Sequence, residues 1–113
     1  MKLKEIINKL QLTVLTAEEN TEAEVTGGYT SDLLSDVMAN SQAGNVWITL
    51  QTHQNIIAVA KLKDLTGIII VNNRTPDAET LKKASEENIP LMTTPEQAFT
   101  LSGKIYKMLH EKE

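Results

Sequence analysis

The 113-residue chain contains no cysteine, which excludes disulfides, thiolate metal sites and a cysteine nucleophile together. Arginine occurs once, at position 74, and no lysine or arginine lies between Lys9 and Lys61. Glu18, Glu19, Glu22, Glu24, Asp32 and Asp36 all fall in that cation-free interval. A nucleic-acid face needs clustered cations, and the remaining lysines are scattered, so no nucleic-acid partner is expected. A bilayer-spanning apolar run is missing as well. The opening MKLKEIINKLQL breaks its apolar positions with charges, so it reads as neither signal peptide nor membrane span. A cytoplasmic location without a membrane partner is the expectation. No low-complexity linker divides the chain, which leaves one domain over 1–113.

What is present suits a folded domain. Hydrophobic residues make up 41% and charged residues 23%, a balance that argues against disorder. A chain of this length buries roughly two-thirds of its unfolded surface.

The stretch Thr26–Asn40, TGGYTSDLLSDVMAN, organises the rest. Glu22–Val25 reads as a strand end, Gly27-Gly28 as a turn, and Thr30 or Ser31 as the cap of a helix that buries Leu33, Leu34, Val37 and Met38. Strand, glycine turn and helix N-terminus together can hold an anion, or be a tight turn only.

Around it, Leu3, Ile6, Ile7 and Leu10 mark an amphipathic helix, and Leu12–Thr16 a first strand. Gly44 closes the Thr26–Asn40 segment as a left-handed residue after its helix. Asn45–Leu50 carries bulk on both faces, with Trp47 opposite Val46 and Ile48, as a central strand covered above and below requires. Ile56–Leu62 is a helix and Gly67–Val71 a second central strand. Thr75 and Pro76 open a helix to about Asn88. Ile89–Met92 is a last strand, and Thr94-Pro95-Glu96-Gln97 is a capping box for a final helix fraying over Glu111–Glu113. Strand and helix alternate from residue 22 onward. The expected fold is an α/β/α sandwich with a mostly parallel sheet, since short parallel connections need helical crossovers. Parallel strands gather their carboxyl-end tips on one edge, where open α/β sheets bind ligands at a reversal of strand order.

Several residues at those tips carry candidate chemistry. Gly27-Gly28 lacks the spacing of both the P-loop and the dinucleotide fingerprint. Asp32 and Asp36, four apart, share a helix face that reads as solvated; a Mg²⁺ site there would need a substrate phosphate. His53 follows Thr52 at a tip with no second His or Cys near it, a poor metal site. As a general base it would need Ser31 or Thr52 as nucleophile; hydrogen bonding to the helix or a ligand is the other reading. Arg74 suits a phosphate or carboxylate, or is a surface residue near a turn. Trp47 reads as core, the methionines as gap-fillers, and His110 as part of a fraying tail.

Three segments together, VTGGYTSDLLSDVMAN, GNVWITLQTHQNIIAVAKL and GIIIVNNRTPDAETLKKA, resemble the DRTGG domain over about Leu12 to Tyr106. Thr26-Gly27-Gly28 match the name-giving motif, with Glu24 and Val25 in place of its Asp and Arg. That family occurs alone and within CBS-containing pyrophosphatases and phosphotransacetylases, and is similar in fold to the N-terminal domain of HPr kinase/phosphorylase. The resemblance implies an α/β/α sandwich without catalytic machinery and a regulatory or oligomerising role. The expected function is therefore non-enzymatic ligand sensing in a homodimer. A small anionic metabolite or adenine nucleotide would bind Thr26, Gly27, Gly28, Thr30, Ser31, Thr52, His53 and Arg74. The alternatives are a protein-interaction or dimerisation module acting on a partner enzyme, and a small enzyme using His53.

Overall fold

The computed structural model describes residues 1–111. The chain runs α1 (Leu3–Leu10), β1 (Thr13–Thr16), β2 (Gly27–Thr30), α2 (Leu34–Asn40), β3 (Asn45–Thr49), α3 (Asn55–Leu62), β4 (Gly67–Ile70), α4 (Ala78–Glu86), β5 (Leu91–Thr93) and α5 (Ala98–His110). The five strands form one sheet in the order β1-β5-β4-β3-β2, with β1 antiparallel to β5 and the other pairings parallel. This is the expected α/β sandwich with a mostly parallel sheet.

Each crossover from β2 to β5 moves one strand over in the same direction. A right-handed crossover then puts α2, α3 and α4 on a single face. Their apolar residues, Val37, Ile56, Ile57, Ala60 and Ala84 among them, pack on Trp47, Ile68, Ile70 and Leu91. Helices α1 and α5 cover the opposite face, where Leu3, Ile6, Leu101 and Ile105 meet Val46, Ile48, Ile69 and Met92. The continuous GIII run of β4 is buried on both faces, and each such isoleucine contributes about 1.5–3 kcal/mol by leaving water. Because β2 to β5 follow one another without turning back, the parallel strands contain no reversal of order. The expected ligand crevice at such a reversal is therefore not part of this sheet; its carboxyl-end edge is continuous.

The Thr26–Asn40 segment departs most from expectation. Glu22–Val25 does not join the sheet: its backbone pairs with the N-terminus, with the Leu3 amide donating to the Ala23 carbonyl at 3.0 Å and the Val25 amide to Met1 at 2.9 Å. The glycines are strand rather than turn, Gly27 and Gly28 pairing with Asn45 and Val46. Helix α2 starts at Leu34 and not at Thr30 or Ser31, because Ser31 Oγ accepts the Leu33 amide at 3.2 Å in a local turn. At the sheet edge only Val37 is fully buried, while Leu33 is 64% exposed and Met38 36%. Asp32 lies before the helix, so it does not share a helix face with Asp36.

Two expected caps also differ. Helix α4 begins at Ala78, because the Asp77 amide and Thr80 hydroxyl both donate to the Thr52 carbonyl and hold Asp77 extended. Helix α5 begins at Ala98: Thr94 Oγ accepts the Glu96 amide at 3.3 Å and Glu96 pairs with Lys104, so no capping box forms. At α1, Glu5 Oε1 accepts the Lys2 amide at 2.7 Å. The fraying expected at Lys112 and Glu113 lies outside the described residues. No helix among the described residues is long and apolar enough to cross a membrane.

Candidate functional site

Parallel topology brings the carboxyl ends of β3, β4 and β5 and the N-termini of α3, α4 and α5 to the same edge. The N-cap residues of those three helices, Gln54, Asp77 and Gln97, make no side-chain cap bond. Their positive dipole ends therefore converge there, partly offset by the Asp77 carboxylate at the start of α4.

The β3 tip is tied down by Asp32. Its Oδ1 accepts the Thr49 hydroxyl at 2.9 Å and the Leu50 amide at 2.7 Å, while Gln51 Nε2 donates to its carbonyl at 2.7 Å. Thr52 offers its carbonyl to α4, as described, and so joins the β3 tip to the β4 tip. His53 is exposed, and its Nδ1 accepts the Asn55 amide at 3.1 Å at the start of α3. The same Nδ1 lies 2.6 Å from Asn55 Oδ1, and the ring's tautomer decides which of the two contacts is a hydrogen bond.

The β4 tip is made by Asn72 and Asn73, both left-handed at φ 61° and 58°. Asparagine tolerates that region better than most residues. Their amides donate to the carbonyls of Glu96 and Thr94, each at 2.9 Å, which anchors the tip to the segment before α5. The turn leaves Arg74 exposed, with its guanidinium in no hydrogen bond or ion pair among the described residues. Local sequence pattern does not mark Gln51, Asn72 and Asn73 as parts of this edge; the Asn-Asn pair is the signal for a left-handed turn.

The eight sequence-predicted residues fall into separate places. Thr52, His53 and Arg74 share the tip edge, with Ser31 approaching it beside the Asp32 contacts. Thr26 is at the other end of β2, where its hydroxyl donates to the Ala43 carbonyl at 2.9 Å and accepts from Asn45 Nδ2 at 3.2 Å. At about 3.3 Å per residue, Thr26 and Thr30 stand about 13 Å apart along the strand. Gly27 lies against Asn45, where an added Cβ would meet Nδ2 at 3.3 Å. Gly28 and Thr30 line a small cleft of about 140 Å³ against Ser102, Tyr106 and His110 of α5. There the Thr30 and Ser102 hydroxyls are hydrogen bonded at 2.7 Å, and His110 stacks on Tyr106 with centroids 4.1 Å apart. His110 thus has a defined place in the cleft instead of belonging to a fraying tail. Ser31, Asn40 and Tyr29 hold the Asp36 carboxyl below the usual carboxylate range, so Asp36 serves β2 and α2 and not the tips.

The fold is similar to that of the CBS and DRTGG domains of the regulatory region of Clostridium perfringens pyrophosphatase, solved in complex with its activator, diadenosine tetraphosphate. The TM-score is 0.69 at 21% identity, over 91% of this chain and 45% of the other, so this chain spans less than half of that neighbour. No family model matches the chain, and no curated protein does. The structural match bears out the DRTGG-like fold read from the three segments.

Proposed function

We propose that this chain is a cytoplasmic, non-enzymatic regulatory domain that senses a small anionic metabolite, with an adenine nucleotide the first candidate. The observation that carries the reading is the convergence of three helix N-termini, none capped by its own N-cap side chain, on an edge where Arg74 has no carboxylate partner among the described residues. Anions are stabilised at helix N-termini, and a guanidinium supplies the matching fork. The tip is also braced before any ligand arrives, by Asp32 on β3 and by the asparagine amides on β4. The fold neighbour's activator is itself an adenine dinucleotide, which sets the order of the screen. The His53 ring and the Thr52 hydroxyl supply hydrogen-bonding groups to the same ligand.

Thermal unfolding in the presence of mono-, di- and dinucleotides and acyl phosphates tests the reading. A ligand at 100 times its dissociation constant stabilises the folded state by about 2.7 kcal/mol. In a domain of this size that raises Tm by on the order of 10 °C. Arg74→Ala is expected to remove most of the shift, since that residue packs against nothing the fold needs. A screen in which no compound moves the transition by more than about a degree rejects the sensing role.

A protein-interaction or dimerisation module acting on a partner enzyme is the second reading. It is favoured by α5, whose Phe99 is 89% exposed and Tyr106 66% exposed on a helix that otherwise packs well. Large aromatic side chains left in water in this way are characteristic of contact surfaces.

A further inference from the structure

We propose that the groove between α3 and α4 is a second, separate site that binds a small amphipathic monoanion, an aryl or medium-chain acyl carboxylate. The groove is an open-sided trough of about 610 Å³, within the roughly 300–1,000 Å³ of small-molecule sites. Its floor and wall on α3 are Ile57, Ala58 and Leu62; Lys61, Lys83 and Glu87 stand along the sides. Ala58 and Leu62 are four apart on one helix row, as are Lys83 and Glu87 on the facing side, so the two rows border one trough. From Asn55 to Leu62 the trough runs about 10 Å at the rise of an α-helix, the length of a fused bicyclic ring or a medium acyl chain.

The charges select the ligand's sign. Lys61 Nζ lies 2.9 Å from Glu87 Oε1, and that pair is self-neutralising. The Lys83 ammonium has no ion pair among the described residues, so the lining carries one uncompensated positive charge. Leu62 is 69% exposed and Ala58 also faces water. Covering them with an apolar body supplies the driving force, and a carboxylate on Lys83 sets the orientation.

Fluorescence titration of the native chain with 8-anilinonaphthalene-1-sulfonate, followed by displacement with octanoate or octanamide, tests the assignment. One saturable dye site per chain is expected. Octanoate should displace the dye, and uncharged octanamide should do so about two- to fivefold less well. Ala58→Trp fills the trough from an exposed position and should abolish dye binding while leaving Tm unchanged. Should that variant not fold, Leu62→Asp, at a more exposed position, takes its place with the same expected loss. Lys83→Gln should weaken octanoate about two- to fivefold, and Arg74→Ala should leave it unaltered. Failure of octanoate to displace the dye overturns the proposal, as does equal competition by octanamide. Native-like dye binding by a folded groove-filling variant, or loss of binding in Arg74→Ala, also overturns it.

Discussion

The Trp47 indole Nε1 donates to the Ser31 carbonyl at 2.8 Å, from a ring with 0% exposure. One bond thus joins the middle of the central strand to the segment between β2 and α2. It also satisfies a donor that would otherwise be buried without a partner. Trp47 emission should be blue-shifted in the native protein and move to the red on unfolding. Trp47→Phe should cost about 1–3 kcal/mol in denaturant titration, because it leaves the Ser31 carbonyl unpaired and the site underfilled. Native emission already at the solvent-exposed wavelength would contradict this placement.

Two glycines should respond in opposite directions to the same substitution. Gly44 has φ +86°, and a Cβ there would lie 2.6 Å from Thr26 Cγ2. Gly44→Ala should therefore destabilise by at least about 1–2 kcal/mol, the left-handed penalty alone. Gly103 lies within α5 and an added Cβ meets nothing within 4 Å. Gly103→Ala should stabilise by about 0.5–1 kcal/mol. Melting temperatures of the two variants, shifting in opposite directions by a few degrees each, are the check.

Stability should fall on both acidic and alkaline sides, through different pairs. Lys4 and then Lys2 hold the Glu22 carboxyl below its usual range, and Ser31, Asn40 and Tyr29 do the same for Asp36. A lowered folded value means that the contribution is present above the ordinary carboxylate range and lost as pH falls through the folded value. The Glu22 hydrogen bond raises Lys2, and the Asp36 hydrogen bond raises Tyr29; those contributions are present below the ordinary values and lost as pH rises. All four groups are exposed enough for the effects to be small and screened by salt. In Tyr106→Phe, where Tyr29 is the remaining tyrosine, tyrosinate absorbance should develop above the ordinary value of about 10. It should return toward that value when Asp36→Asn is added.

The proposed homodimer rests on the exposed aromatics of α5. Sedimentation at micromolar concentration should give twice the chain mass, and Phe99→Asp should return it to the monomer without lowering the monomer's own stability, since that side chain is 89% exposed. A monomer at every accessible concentration removes the claim.

The sequence by itself determined the elements whose residues leave one choice. The two-faced NVWITL and the uniformly apolar GIII could only be central strands, and Asn45–Thr49 and Gly67–Ile70 are those strands. The alternation of strand and helix determined the parallel sheet, because no short connection joins parallel neighbours otherwise. Tertiary structure decided what the glycine segment does. Gly27 and Gly28 permit turn and strand alike, and the choice fell to long-range pairing: residues 22–25 bond to the N-terminus and residues 27–30 to β3. Asp32 left the expected helix for the same reason, because hydrogen bonds to Thr49 and Leu50, seventeen and eighteen residues on, compete with a place in the first turn. Strand order was equally beyond local pattern. It opened the α3–α4 groove by placing consecutive helices side by side on one face, while the parallel pairing of Gly27–Thr30 with β3 left Thr26 at the amino-end edge, away from Arg74.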